Sequence, residues 1–145
     1  MILIKEDKLI TRISIIIPTL NESNNLPLLL SDLSEINNIS EILIIDSTST
    51  DKTKDIALIN GTKFYKLNKN NRGLQLNYGA EKAKGEWLLF IHADSRLKFN
   101  WSIKVMDISK RDSNFIYYFK FKVNNKLFTY RFLEFFVNLR CFLFK

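Results

Sequence analysis

Three short stretches of this chain carry side chains that could do chemistry together: Pro18-Thr19-Leu20-Asn21-Glu22, Asp46-Ser47-Thr48 and His92-Ala93-Asp94. Each follows an apolar run, within ISIIIP, EILIID and EWLLFIHAD respectively. A carboxylate delivered by the end of a buried run is well placed to hold a hard divalent cation. Such cations commonly bridge one or two carboxylates and a substrate diphosphate. Asp94 has this placement most clearly. His92, the single histidine, lies two residues earlier and in an extended chain projects to the same side. Asp46 admits two roles, a site carboxylate or an N-cap, and Asp51 is even better placed for the second. Arg72-Gly73, just before a helical pattern, can place a guanidinium on a phosphate or base, with the helix N-terminus adding its own positive end. Its other reading is a surface arginine in a polar loop.

The elements that must position these groups follow from periodicity. Ile13 to Pro18 is a β-branched run stopped by proline, the pattern of a strand buried on both faces. Cap-type Asn21 and Ser23 then precede leucines at helical spacing, which predicts a helix. The unit repeats: a strand at Glu41 to Asp46, then a helix opened by the Ser/Thr/Asp run Ser47 to Asp51. A third strand is expected at Lys63 to Asn68, a helix from about Leu74 to Lys84 with Gly85 as its C-cap, a fourth strand at Glu86 to Asp94, and a helix near Trp101 to Arg111. Alternating strands and helices with short connections indicate an α/β fold, a mostly parallel sheet with helices on both faces. Ligands gather at the carboxyl ends of such strands, which are the positions of all three polar stretches.

Composition limits the remaining possibilities. The 145 residues suffice for one hydrophobic core, and 46% apolar with 26% charged residues is a globular balance. A formal net charge of +7 suits an anionic partner, although basic residues spread over solvated faces explain it equally. Cys141 is the single cysteine, which rules out an intrachain disulfide and fits a reducing compartment; it reads as a small buried hydrophobe. Charges at Lys5 to Lys8 interrupt any signal core, and no run reaches the roughly 18 apolar residues of a spanning helix. A cytoplasmic location is expected, with peripheral contact at the inner face of a membrane left open.

The last third has another texture. Asn114 to Val123 alternates enough to be a strand, and Lys126 to Lys145 forms an aromatic-rich amphipathic pattern carrying Arg131, Glu134, Asn138 and Arg140. Burial against the sheet and attachment to an anionic bilayer both suit it. A nucleic-acid surface would need aromatics interleaved with basic residues on one exposed face. Tyr117 to Lys126 is the one candidate, so nucleic acid is not expected as a partner.

The stretches SIIIPTLNESNNL, EILIIDSTSTDKT and NRGLQLNYGAEKAKGEWLLFIHADSRL occur in the order and spacing of the family-2 glycosyltransferases of GT-A fold. They resemble more narrowly the bacterial subgroup called transferase 2, rSAM/selenodomain-associated. The likeness spans Ile13 to about Trp101. It implies a Rossmann-like GT-A sheet and transfer of a sugar from a nucleotide-diphosphate donor. Pro18, Thr19, Asn21 and Glu22 would line the nucleotide pocket, Asp46 would take the base, and Arg72 would contact the nucleotide as well. Asp94 would be the metal-binding member of the D-x-D motif, holding Mg2+ or Mn2+ against the diphosphate.

Departures from the family pattern carry expectations of their own. His92 stands where the general motif has its first aspartate, and it would contact the diphosphate or ribose. Ser47 and Thr48 replace two glycines usual after the strand-two aspartate, so the loop is expected to differ or to bind less tightly. Relatives continue into an acceptor-binding half with the catalytic base. That half would lie beyond Lys145, leaving residues of about 11–110 as the donor half of a single domain and the C-terminal part of the fold missing. The acceptor stays open, with a lipid or carotenoid suited to the aromatic tail. The competing expectation is a non-catalytic glycosyltransferase remnant or nucleotide-binding module.

Overall fold

Ile13 to Thr19 offers no polar face that could meet water along its length, so the segment is satisfied only between two covering layers. In the structure, a computed structural model, this run is strand β1 (Ile13–Thr19), buried at every position. The structure describes residues 12–34 and 39–111, and beyond them 116, 117, 119, 122, 131, 134–137 and 139. The chain divides into two units, Met1–Ser113 and Asn114–Lys145. The elements below belong to the first.

After β1 come α1 (Leu26–Leu33), β2 (Ile39–Asp46), α2 (Thr53–Ile59), β3 (Lys63–Lys66), α3 (Arg72–Lys82), β4 (Trp87–Phe90) and α4 (Trp101–Ser109). The four strands are parallel in the order β3-β2-β1-β4. Alternation along β1 separates two cores. Ile13, Ile15 and Ile17, with Ile44 of β2, meet Leu26, Leu29, Leu30 and Leu33 of α1, Ala57 of α2 and Trp101 and Val105 of α4. Ile16, Leu43 and Ile45 face the other way, toward Leu76 and Ala80 of α3. Helices therefore cover both faces, as the alternating pattern indicates.

The α1 leucines recur at i, i+3, i+4 and i+7, which builds one apolar stripe. Each fully buried leucine contributes about 2 kcal/mol. Pro27 sits in the first turn, where its missing N–H breaks no helical hydrogen bond. On the opposite face, α3 approaches closely because Gly79 lies over β1 and β2, where a Cβ would collide with the Ile16 side chain and crowd Ile45. The sheet's amino end is held by Glu41, whose buried carboxylate accepts from Ser14 Oγ at 2.7 Å, the Lys84 amide at 2.6 Å and Lys63 Nζ.

Several boundaries differ from those the pattern predicts. Asn21 and Ser23 do not cap α1. The helix starts at Leu26 with Asn25 as N-cap and no side-chain cap bond, because the loop before it is drawn into contacts with the segment after β2. Helix α3 runs Arg72–Lys82 rather than from Leu74 to Lys84, since the Asn71 side chain accepts from the Leu74 amide at 3.1 Å and opens it earlier. Gly85 is not its C-cap. Ala83 ends the helix in an extended conformation, and Gly85 instead presses on β1, where a Cβ would meet the Ser14 nitrogen at 2.6 Å and the Arg12 carbonyl at 2.9 Å. Strand β4 stops at Phe90 rather than running to Asp94. The strand and helix expected beyond residue 113 lie largely outside the described residues; of those described there, Arg131, Leu139 and the segment 134–137 are helical.

Candidate functional site

The register brings the carboxyl ends of three strands level: Thr19 pairs with Asp46, and Asp46 with Lys66. Pro18 and Thr19 are buried at the end of β1. Asp46 is 1% exposed. Its Oδ1 accepts from Thr19 Oγ1 at 3.1 Å and from Ser49 Oγ at 2.5 Å, and its Oδ2 accepts from the Ser49 amide at 2.9 Å. Asp46 thus closes β1 on β2 and folds its own loop back. A carboxylate oxygen can accept twice, so Oδ2 keeps capacity for one further donor.

Asn21 and Glu22 follow β1 and cross to the same loop. The Asn21 amide donates to Ser49 Oγ at 2.8 Å, its Oδ1 accepts from the Thr50 amide at 2.9 Å, and the Glu22 amide donates to Thr53 Oγ1 at 2.9 Å. Asp51 accepts from the Ser23 and Thr53 amides at 2.9 and 3.0 Å. Burial pushes the Asp51 carboxyl up, but the hydrogen bonds from Thr53 and Ser23 outweigh it and hold the group well below the usual carboxylate range. Asp51 is therefore the charged clasp between the loops after β1 and β2; it is not the N-cap the sequence indicates, since Lys52 holds that position at α2 without a side-chain cap bond.

Thr48 lies in this loop with φ 62°, a left-handed conformation that costs a β-branched residue of order 1 kcal/mol or more. Thr48 thus holds a backbone conformation that glycine adopts without strain. Ser47 is fully buried and donates from Oγ to the Lys69 carbonyl at 2.6 Å.

Gln75 has no counterpart among the residues the sequence singles out. It is 4% exposed on the inner face of α3, and its Nε2 donates to the Thr19 carbonyl at 3.0 Å and the Ile45 carbonyl at 2.6 Å. The signal that could have found it is its i, i+4 spacing to Gly79: a polar side chain on the one stripe of α3 that approaches the sheet. Arg72, one turn earlier, is exposed at the first position of α3. It makes no hydrogen bond or ion pair among the described residues. Lys66 and Lys69 are exposed as well on the connection from β3.

His92 and Asp94 stand apart from this braced group. Phe90 pairs with Ile16, whereas β1 continues to Thr19; the chain then leaves the ladder and turns, with the Ser95 amide donating to the His92 carbonyl at 3.0 Å. The expectation that both side chains share one side of an extended segment fails, because this turn replaces the strand. Both residues are exposed, and neither side chain is hydrogen bonded among the described residues. Ala93 between them is buried in the main core at 2% exposure. Arg96, for which the sequence offers no role, forms a two-pronged ion pair with Asp32 of α1 through Nε at 2.8 Å and Nη2 at 2.9 Å. The Arg96 hydrogen bond is the main reason the Asp32 carboxyl lies below its ordinary range.

The described residues contain no group of three or more His, Cys, Asp or Glu able to hold a metal. The donor set still fits Mg2+ or Mn2+ in the mode these ions take beside phosphates, one protein carboxylate with phosphate and water oxygens completing the shell. Asp94 is exposed, and its side chain makes no hydrogen bond among the described residues. The imidazole of His92 suits a hard cation less well than a carboxylate does.

A parallel sheet in the order β3-β2-β1-β4 with polar groups at its carboxyl edge defines an open α/β protein, a class in which ligands bind outside the carboxyl ends of the strands. The glycosyl transferase family 2 model matches residues 14–145, and the chain belongs to that family. It is 34% identical over 100 residues to the 4,4'-diaponeurosporenoate glycosyltransferase of Staphylococcus haemolyticus, a match covering 64% of this chain and 27% of that protein. The PGL/p-HBAD biosynthesis glycosyltransferase of Mycobacterium bovis is 37% identical over 91 residues, covering 58% of this chain and 36% of its own length. This chain thus spans only about a third of such relatives or less.

Among solved structures, S. aureus TarS residues 1–349 superposes with a TM-score of 0.61 at 24% identity, over 68% of this chain and 31% of that one. Glucosyl-3-phosphoglycerate synthase from Mycobacterium tuberculosis, in complex with Mn2+, uridine diphosphate and glucosyl-3-phosphoglycerate, does so at 0.53 and 21% identity, over 59% and 36%. These likenesses bear out the GT-A fold, of which the described residues form a part.

Proposed function

We propose that the carboxyl edge of this sheet binds the donor in a metal-assisted glycosyl transfer, and that the donor is a uridine-diphosphate sugar. The observation that carries this reading is the division of labour at the edge. Thr19, Asn21 and Asp46 form a rigid cradle after β1 and β2, and Asp94 after β4 remains free to ligate. The uridine diphosphate and Mn2+ held by the Mycobacterium tuberculosis synthase support the donor class, and the LLFIHADSRL stretch supports the rSAM/selenodomain-associated subgroup.

Within that reading each residue has a task. Pro18 and Thr19 form the floor of the pocket, and the spare capacity of Asp46 Oδ2 accepts an N–H of the base. Asn21 and Glu22 hold the loop against the nucleoside. Arg72, with Lys66 and Lys69 nearby in sequence, supplies positive charge toward the diphosphate. His92 donates to a phosphate or ribose oxygen, and Asp94 orients the metal-bound diphosphate. A bound divalent cation would stabilise the negative charge that grows on the departing nucleoside diphosphate. Deprotonation of the acceptor hydroxyl requires a base outside this group. The acceptor we assign is a lipid or carotenoid, for which the name of the Staphylococcus haemolyticus relative gives support, and the location the cytoplasmic side of a membrane. Among the described residues no helix is long and apolar enough to cross a bilayer.

Calorimetric titration of the chain with UDP and UDP-glucose, with Mn2+ and with EDTA, tests the proposal. Binding that strengthens with Mn2+ and loses that gain in Asp94→Ala is expected. Absence of heat with either nucleotide in the presence of Mn2+ contradicts it.

A further inference from the structure

We infer that Asp32 on α1 is a positioning residue for Asp94, acting through Arg96 to fix the loop that carries the metal-binding carboxylate. The inference rests on the reading of Asp94 given above.

The loop from Ile91 to Asn100 leaves the sheet after one further ladder bond, from the Ile91 amide to the Ile16 carbonyl at 3.1 Å. Its tip would be loosely held if nothing else tied it down. On one side of Asp94, Ala93 is sunk in the core. On the other, Asp32 gathers Arg96 Nε and Nη2 and also the Leu97 amide, the last at 3.0 Å. The Asp32 carbonyl takes the Trp101 Nε1 donor at 3.1 Å, which ties the start of α4 to the same turn of α1. Asp94 itself makes no hydrogen bond among the described residues, so its position is inherited from these neighbours.

The pair's worth to folding is small, because Arg96 is 59% exposed and exposed ion pairs typically contribute little. Its geometry is another matter. A guanidinium fork on a carboxylate fixes orientation as well as distance. Residues that orient a metal ligand typically change metal affinity by about 10- to 100-fold when removed.

The test measures UDP affinity of the 145-residue chain, with Mn2+ and with EDTA, for Asp94→Ala, Arg96→Ala, Arg96→Lys, Asp32→Asn and the double variant Arg96→Ala/Asp94→Ala. The expected result is a roughly tenfold weakening of Mn2+-dependent binding in Arg96→Ala and Asp32→Asn. Arg96→Lys, which keeps the charge and so the ion pair, should recover part of it. The double variant should be no weaker than Asp94→Ala alone, because a positioning residue has nothing left to position. Thermal unfolding of each variant, expected within about 2 °C of the parent for a change below 0.5 kcal/mol, separates loss of position from loss of fold. If Asp94→Ala weakens Mn2+-dependent binding while Arg96→Ala and Asp32→Asn do not, the positioning role is overturned and the site reading stands. If Asp94→Ala itself changes nothing, the site reading falls, and the positioning role with it. Equal weakening with Mn2+ and with EDTA, or additivity in the double variant, also overturns the positioning role.

Discussion

The two parts of the carboxyl edge are built on opposite plans. After β1 and β2 the polar groups are bonded to one another: Thr19 and Ser49 to Asp46, Asn21 to Ser49 and Thr50, Ser23 and Thr53 to Asp51, and Gln75 across both strand ends. After β4 the side chains of His92 and Asp94 are exposed and without such bonds among the described residues, and their neighbours Ala93 and Arg96 are anchored. Under the proposed function, the first plan would give a nucleoside a fixed surface. The second would leave ligating capacity for a metal and a diphosphate. Stability and function are therefore separable along a single sheet edge, and substitutions on the two sides should show it.

The largest effect on folding should come from Asp46→Ala. It strips a buried acceptor from Thr19 and Ser49 and should lower stability by about 3 kcal/mol in urea unfolding; a loss below about 1 kcal/mol would break the contrast. Next comes Gly79→Ala, which pushes α3 and its Gln75 away from β1 and β2. A loss of about 2 kcal/mol is expected, and it should be accompanied by weaker UDP binding, since the braced edge loosens with it.

Acid should loosen the braced edge through Asp51. The Asp51 carboxyl lies below its ordinary 3.8 in the folded protein. Its stabilising contribution is complete above that unfolded value and is lost as pH falls through the lower folded one. Melting temperatures taken downward from pH 5 should fall more steeply for the parent than for Asp51→Asn, and parallel curves would argue against the clasp.

Thr48→Gly relieves the left-handed strain, and glycine's unfolded-state freedom offsets part of the relief. A net gain of about 0.5 kcal/mol is expected, with UDP binding at least as tight. On the bare side, Asp94→Ala should leave stability within about 0.5 kcal/mol, even though the metal-dependent part of nucleotide binding disappears.

How much of this was legible in the sequence follows the same division. Buried parallel strands are continuous apolar runs, so Ile13 to Pro18 and Glu41 to Asp46 declare themselves, and the strand ends mark the edge where Thr19, Asp46 and Asp94 emerge. Cap residues are less legible because Asn, Ser and Asp serve a helix or a distant loop with the same chemistry. Asn21 and Ser23 look like caps of α1 and instead bond the segment from Ser49 to Asp51, a choice made by the β1–β2 register. Gly85 resembles a helix stop, but its role is set by Ser14 across the sheet. The turn at His92 to Ser95 replaced an expected strand because β4's ladder ends at Phe90. Asp32 carried no local signal at all: its partners, Arg96, Leu97 and Trp101, are contributed by the far side of three strands and two helices.

The separation of a braced nucleoside cradle from a free metal-side carboxylate is tested most directly by amide NMR of the labelled chain with Mn2+ and UDP. Paramagnetic broadening depends on distance to the bound ion. Broadening centred on His92 to Ser95, absent without UDP and lost in Asp94→Ala, is the predicted result. Broadening centred elsewhere, or unchanged in Asp94→Ala, would contradict the assignment of Asp94 as the carboxylate that meets the metal-bound diphosphate.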